Sequence, residues 1–172
     1  GSEDLFVKHA FLLSIPRPKD LLDDWERISK SFKKSDEGRW LFVPLFPQFS
    51  ESTTLAAFDA LGSELKDRAN APHFEFLTNY HKSKAFIDNS VGLIENTLKE
   101  SQLDHLILSF HGLPKQRILE KNDIYYQHCF ETFILLKNNI KGIDASKIHL
   151  TFQSRFGRDE WLTPDTASSV KN

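Results

Sequence analysis

Apolar residues recur along much of this chain with the spacing of an amphipathic helix. From Lys19 to Phe32 they follow one another at steps of three and four residues, which places them on one face of a helix. The same spacing predicts three further helices, over residues 54–68, 86–98 and 124–140. Each of these helices has an apolar face that another element must cover.

Four shorter apolar runs lie between the predicted helices and indicate buried strands. They are rich in aromatic and β-branched residues and span Trp40–Val43, Phe74–Leu77, His105–Phe110 and Ile148–Phe152. Strands that alternate with helices of this length form βαβ units, in which the strands are parallel and helices cover the faces of the sheet. We therefore predict an α/β fold with parallel strands in one or two sheets.

A division of the chain is expected at Ser101-Gln102, between a long predicted helix and the next strand. Residues 3–100 then form part of a first α/β lobe, and residues 101–172 form the start of a second one. A chain of 172 residues is long enough to bury one large core or two small ones.

Composition and charge exclude several classes of protein. With 22 Lys and Arg against 24 Asp and Glu the net charge is −2, so we expect no nucleic-acid partner. No apolar run approaches the ~20 residues of a transmembrane helix, and the first residues lack the pattern of a signal peptide. Cys129 is the only cysteine, which excludes an internal disulfide and a cysteine-rich metal site. These features predict a cytoplasmic protein.

His111 is the residue with the strongest chemical signal. It directly follows an apolar strand, and Gly112 and Pro114 then turn the chain. In open α/β sheets, ligands bind beyond the carboxyl ends of the strands, and a neutral imidazole there can ligate a metal or accept a proton. A histidine that only hydrogen-bonds a neighbouring loop would give the same pattern, and the spacing leaves both interpretations open.

The other polar residues near strand ends allow two interpretations each. Arg155 either binds an anionic group such as a propionate or pairs with Asp159 or Glu160. Residues 50–54 either cradle a phosphate or cap the following helix. No glycine-rich nucleotide-binding motif and no Gly-x-Ser-x-Gly elbow is present. We expect packing or surface roles for the remaining histidines, which are His9, His73, His81, His105, His128 and His149.

Four motifs, in the same order along the chain, resemble those of the ferrochelatase family. Pro44–Thr54 is similar to the family's Pro-Leu-Tyr-Pro-Gln-Tyr-Ser-x-Ser-Thr-Thr segment, with Phe46 and Phe49 in place of the tyrosines. Ser109–Pro114 is similar to its histidine motif. The other matches are Asp123 and Tyr125 with Cys129 and Thr132, and Phe152–Gly157 with Trp161, Leu162 and Pro164.

The resemblance implies a chelatase-like fold and an enzyme that makes haem. The fold would consist of two similar Rossmann-like α/β lobes, here incomplete, with a porphyrin cleft between them. The enzyme would insert Fe(II), its substrate metal, into protoporphyrin IX, with no tightly bound cofactor. The resemblance implies that His111 is the catalytic residue, which binds the incoming metal or takes a pyrrole proton. It leaves open the oligomeric state and a peripheral contact with a membrane.

The resemblance covers the central part of the family's sequence. The family's N-terminal strand and glycine-proline loop, and its C-terminal glutamate that pairs with the histidine, have no counterpart among these residues, so we expect an excised portion or a divergent member. Leu12 and Leu13 stand where the family has an Arg and a Tyr at the cleft. Two other functions stay open: a chelatase for another metal or tetrapyrrole, and a porphyrin- or metal-binding remnant without turnover.

Overall fold

Helices and strands alternate along the chain in the order that the apolar pattern predicts. The computed structural model describes residues 7–29, 39–66, 68, 73–101 and 103–171. The elements are α1 (Pro18–Ser29), β1 (Arg39–Phe42), α2 (Ala56–Leu65), β2 (His73–Phe76), α3 (Lys84–Glu100), β3 (Leu106–His111), α4 (Lys115–Lys121), α5 (Tyr125–Asn139), β4 (Ile148–Gln153) and α6 (Thr166–Lys171).

The described strands form two parallel pairs, which confirms the predicted α/β class. Strand β1 pairs with β2, and β3 pairs with β4. The register of the second pair runs from Leu106 opposite Ile148 to His111 opposite Gln153. Because both strands of this pair run in one direction, the residues that follow them meet at the same edge of the sheet.

Two short helices, α4 and α6, are absent from the sequence-based prediction. They have seven and six residues, too few for an apolar repeat to be recognised. Tertiary contacts place α6 instead: the Thr166 hydroxyl lies 2.7 Å from that of Ser109 in β3 and 2.8 Å from that of Thr151 in β4.

The boundaries of one predicted helix also differ from the structure. The helix expected over residues 54–68 starts as a π-helical turn, Glu51–Leu55, and its α-helical part ends at Leu65. The N-cap of α2 is therefore Leu55, whose side chain cannot accept a hydrogen bond, rather than a serine. The predicted extension of α1 to Phe32 lies outside the described residues.

The chain divides into two compact units, each with its own apolar core. The first comprises Gly1–Phe46 and Glu51–Thr78, and the second comprises Pro47–Ser50 and Asn79–Asn172. In the first unit, Leu22, Leu61 and Leu65 pack against the aromatic side chains of β1 and β2. There the Arg68 guanidinium pairs with Asp23 at 2.6 Å and with Glu26 at 2.8 Å.

The second unit contains the β3–β4 pair and two clusters of buried side chains. One cluster joins α3, α5 and β4 and consists of Ile87, Phe133, Leu136, Ile140 and Ile148. The other consists of Tyr125, Cys129, Phe152 and Leu162. Helix α3 thus belongs to this unit through its packing on α5, although the sequence suggested a division after residue 100. That division, which concerns the lobes of the family's fold, stays a prediction.

We expect the core of the second unit to be sensitive to truncation at Leu136. This side chain is 6% exposed, so Leu136→Ala should lower the free energy of unfolding by about 2–5 kcal/mol through lost burial and the cavity left behind. The matched control is Leu93→Ala in α3, where the leucine is 63% exposed and a change within about 0.5 kcal/mol is expected. Urea unfolding followed by circular dichroism measures both. Equal losses in the two variants would contradict the assignment of this core.

Candidate functional site

His111 is the last residue of β3, and its side chain is exposed, as its place after an apolar strand predicts. Its Nδ1 lies 2.8 Å from the carbonyl oxygen of Gly112. Since a carbonyl oxygen only accepts hydrogen bonds, Nδ1 carries a proton, and in the neutral ring Nε2 then has the free lone pair. The sequence left two interpretations of His111 open, a hydrogen bond to the neighbouring loop and a chemical role. The structure shows that the two are compatible. The backbone bond fixes the tautomer, and Nε2 is left to act as a ligand or a proton acceptor.

Gly112 lies where the end of β3 meets the end of β4. Its N–H donates a hydrogen bond of 2.7 Å to the carbonyl oxygen of Gln153. A Cβ atom at position 112 would lie 2.7 Å from that same oxygen and 3.1 Å from Cε3 of Trp161. Only a residue without a side chain fits this contact. Steric exclusion of a Cβ atom therefore explains why the histidine motif has a glycine at position 112.

The chain returns to this point after β4 and covers it. The Leu162 N–H donates to the carbonyl oxygen of Leu113 at 2.9 Å, and Trp161 forms an antiparallel bridge with Pro114. The Phe152 N–H donates to the carbonyl oxygen of Pro164 at 2.8 Å. The Trp161-Leu162 motif therefore packs on the turn that follows His111, although about fifty residues separate the two in sequence.

A second set of bonds reaches the His111 backbone from α5. The Tyr125 hydroxyl donates to the carbonyl oxygen of His111 at 3.0 Å. Burial raises the pKa of Tyr125, so its phenol remains a neutral donor. The buried Asp123 carboxylate accepts the Tyr125 N–H at 2.9 Å through one oxygen and the Ser50 hydroxyl at 3.0 Å through the other. These contacts form a continuous series from Ser50 to the backbone of His111.

Residues 47–50 are attached to α5 by further polar contacts. The Gln48 amide donates to the Thr132 hydroxyl at 3.0 Å, and the Phe49 N–H donates to Nδ1 of His128 at 3.1 Å. Both Gln48 and Thr132 are buried. These bonds explain why this short segment belongs to the second unit.

Two histidines for which only packing or surface roles were expected form a buried pair. The rings of His81 and His128 stack with centroids 3.7 Å apart. His81 is 2% exposed, and its Nε2 lies 2.8 Å from an oxygen of Glu131 while its Nδ1 lies 3.0 Å from the Asn79 side-chain oxygen. Sequence spacing could not reveal this pair because 47 positions separate the two residues and only the packing of α5 brings them together.

The structure also bears on Arg155, on Cys129 and on groups of metal-ligating side chains. Arg155 is exposed and forms no ion pair with Asp159 or Glu160 within the described ranges. The Glu160 carboxylate pairs instead with Lys115, whose Nζ lies 3.5 Å from Oε2 of Glu160. Cys129 is fully buried in the core, and burial raises the pKa of its thiol to about 12, so it is not a ligand. Over the described ranges, no group of three or more His, Cys, Asp or Glu side chains is arranged to hold a metal ion.

We predict that Gly112→Ala destabilises the second unit. The added methyl meets a backbone oxygen that cannot move without breaking the β3–β4 pairing, so a loss of about 1–3 kcal/mol is expected. The control is Gly92→Ala in the middle of α3, where nothing lies within 4 Å of the added carbon and the helix should gain about 1 kcal/mol. Thermal or urea unfolding compares the two. A neutral Gly112→Ala would show that the strand ends are not in close contact.

The stability of the second unit should fall as the pH drops below about 6.5. Burial, with a smaller contribution from His81, lowers the pKa of His128 from its usual 6.5, so the unfolded chain takes up a proton there before the folded chain does. The free energy of unfolding therefore rises with pH in this window. His128→Asn keeps an acceptor near the Phe49 N–H without a titrating ring and should flatten the pH dependence there.

Glu131 provides an internal control in a different pH window. The hydrogen bond from His81, with those from Gln127 and Lys82, lowers the pKa of Glu131 from 4.5 to about 2. Its contribution to stability is present above pH 4.5 and lost as the pH falls towards 2, so Glu131→Gln should flatten this lower window. Urea unfolding at a series of pH values measures both slopes. An unchanged profile for His128→Asn between pH 5 and 7 would refute the prediction for His128.

None of the helices that the structure describes is both long enough and apolar enough to cross a membrane. A family model described as Ferrochelatase matches residues 24–172 of this chain. The match extends beyond the described elements of the second unit and includes those of the first from the middle of α1 onwards.

Individual relatives agree with this match. A coproporphyrin III ferrochelatase of Streptococcus mutans is 32% identical over 96% of this chain and 48% of its own length. A ferrochelatase of Marinobacter nauticus is 36% identical over 84% of the chain and 39% of its own length. One of Haemophilus influenzae is 38% identical over 80% of the chain and 41% of its own length. The chain thus spans less than half the length of these relatives. The family that the motifs indicate is confirmed: the chain belongs to the ferrochelatase family.

Proposed function

We propose that the protein containing this chain inserts Fe(II) into a porphyrin, with His111 as the catalytic residue and the ligand of the incoming metal. The observation that carries the proposal is an exposed imidazole at the carboxyl end of a parallel strand, with Nδ1 bonded to a backbone carbonyl and Nε2 free. Membership of the ferrochelatase family supports the reaction. The proposal concerns the whole protein, of which this chain supplies one part of the site.

The reaction requires a group that accepts the pyrrole protons and a ligand that replaces water on the iron. A neutral imidazole can serve in either role. Metal insertion exchanges two pyrrole N–H protons for one Fe(II), which must shed its bound water. Nε2 of His111 can accept a pyrrole proton or take the place of a water ligand on the iron. In both cases the Nδ1–H bond to the Gly112 carbonyl keeps the ring in the required tautomer.

Rigid support of the His111 backbone is the second contribution of this chain. The Tyr125 hydroxyl holds the carbonyl group of His111, and the Gly112–Gln153 bond holds the residue that follows. A catalytic side chain accelerates a reaction more when the elements around it fix its position before the substrate binds. The polar contacts of α5 therefore serve the reaction without touching the substrate.

The porphyrin is protoporphyrin IX in this proposal, with coproporphyrin III as the second candidate. The second candidate is favoured by one relative, whose name specifies coproporphyrin III. Coproporphyrin III carries propionate groups where protoporphyrin IX carries two vinyl groups. An exposed guanidinium that is not engaged by Asp159 or Glu160, such as that of Arg155, suits a propionate of either substrate. Parallel assays with the two porphyrins decide between them.

Several features of the proposal stay predictions. They are the cytoplasmic location, the absence of a tightly bound cofactor and the choice of Fe(II) over another metal. Anaerobic titration of the whole protein with porphyrin and Fe(II), and separately with Zn(II), separates a metal-inserting enzyme from a porphyrin-binding remnant. A Soret shift alone reports binding, and a metalloporphyrin spectrum reports insertion.

We expect His111→Ala to abolish metal insertion in the protein expressed with its full natural reading frame. Loss of the acceptor and ligand should reduce the rate by about 100-fold or more, while circular dichroism remains that of the folded protein because the side chain is exposed. The control is His73→Ala at the exposed start of β2, which should retain the rate. Insertion near the wild-type rate in folded His111→Ala would show that another residue carries the reaction.

A further inference from the structure

A pair of histidines lies at the amino ends of β3 and β4, at the edge of the sheet opposite to His111. His105 directly precedes β3, and His149 is the second residue of β4. His149 stands opposite Ile107 in the register, and His105 shares the face of Ile107 because side chains alternate along a strand. Both imidazoles therefore lie on one face of the sheet. Nδ1 of His105 is 2.9 Å from Nε2 of His149, and the ring centroids are 5.1 Å apart.

The contact between the two rings requires that one of the two facing nitrogens carries a proton and the other does not. In a hydrogen bond between two imidazole nitrogens one donates and the other accepts, so at least one ring of the pair is neutral. His105 is exposed and His149 is half-buried, and no other hydrogen bond of either ring is present in the part of the chain that the structure describes. The rings are therefore accessible from solvent and are not engaged by a carboxylate or a backbone group.

The spacing of the two nitrogens fits one class of metal geometry. Metal–imidazole bonds are about 2.0–2.1 Å, so two nitrogens in adjacent positions of a square-planar or octahedral ion lie about 2.9 Å apart, against about 3.4 Å in a tetrahedral ion. The observed 2.9 Å is the length of the hydrogen bond between the rings, and it shows that the two nitrogens can come as close together as adjacent ligands of such an ion must. Cu(II) and Ni(II) prefer square-planar or tetragonal sites with nitrogen and oxygen ligands.

We infer that His105 and His149 form an accessory site for Cu(II) or Ni(II), with water in the remaining coordination positions. When a metal binds, the ring that donates the hydrogen bond in the metal-free pair gives up the proton on its facing nitrogen to water. It takes up a proton from water on its other nitrogen. Both facing lone pairs then point to the metal. When both rings are neutral, this step releases no proton, and binding weakens when acid protonates either ring. His105 is exposed and has room for the rotation of its ring that this requires.

This site is separate from the proposed catalytic residue. His105 and His111 are six positions apart at the two ends of an extended strand, which corresponds to about 20 Å. A metal held by the pair therefore does not contact His111. The inference does not depend on the proposed function, because it concerns the binding of an ion that is not the substrate of the reaction.

The test is a titration of the chain with CuCl2 near neutral pH, followed by electron paramagnetic resonance and calorimetry. We expect one Cu(II) equivalent with coupling to imidazole nitrogens that is lost in the double variant His105→Gln/His149→Gln. Acidification to about pH 5 should release the same equivalent, since protons compete for the nitrogens. Circular dichroism verifies that the variants are folded. If the double variant does not fold, the single variant His105→Gln, at an exposed position, tests the same loss of nitrogen coupling.

His111→Ala is the matched control and should retain this equivalent, which distinguishes the accessory site from the proposed catalytic residue. Three results would overturn the inference. They are an unchanged Cu(II) equivalent in the folded double variant, its loss in His111→Ala, and a wild-type spectrum without nitrogen coupling. None of these results bears on the proposed insertion reaction, because that reaction is tested separately by the insertion rate of His111→Ala.

Discussion

The ends of β3 and β4 approach each other so closely that position 112 has no room for a side chain. The Gly112–Gln153 hydrogen bond, at 2.7 Å, holds both strands at the point where His111 leaves the sheet. The Trp161 ring lies over the same glycine, and Leu162 donates its N–H to the turn that follows. A backbone contact without a side chain thus fixes the histidine, the turn and the returning segment together, because a shift of any of them would break the strand pairing.

Helix α5 provides the rest of the support through buried polar groups. An unpaired polar group in the interior is strongly destabilising, so buried donors and acceptors are found with partners. Asp123, which precedes the helix, and His128 and Thr132 within it are buried, and each bonds to residues 48–50. An apolar contact would allow this loop to slide, whereas each hydrogen bond requires one distance and one direction. The arrangement of the second unit near His111 is for this reason set by polar contacts as much as by its apolar core.

The histidines of the second unit show how position changes the chemistry of one residue type. At the carboxyl edge, the His111 ring is held by a backbone carbonyl, and one nitrogen is left free. At the amino edge, His105 and His149 bond to each other, and we infer that a metal can bind between them once the proton they share has moved to the other nitrogen of its ring. In the interior, the stacked pair of His81 and His128 has three of its four ring nitrogens bonded to protein groups, which are Asn79, Glu131 and the Phe49 N–H. Exposure and the identity of the hydrogen-bond partner, not sequence spacing, separate these three cases.

Local periodicity determined much of what this chain is. The steps of three and four residues predicted α1, α3 and α5, and the apolar runs predicted the four strands and their parallel class. The place of His111 at a strand end was equally readable, because a strand's last residue is marked by the turn formers that follow it. The order of the motifs indicated the family. All of these depend on residues that are neighbours in sequence.

Only the tertiary structure decided the contacts that give these elements their chemistry. The bonds of Ser50 to Asp123 and of Phe49 to His128 join residues 73 and 79 positions apart, and the His105–His149 contact joins residues 44 positions apart. The short helices α4 and α6 and the π-helical turn before α2 carry no apolar repeat long enough to recognise. The physical reason is the same in each case: local spacing fixes which way a side chain points from its own element, and only packing fixes what it meets there.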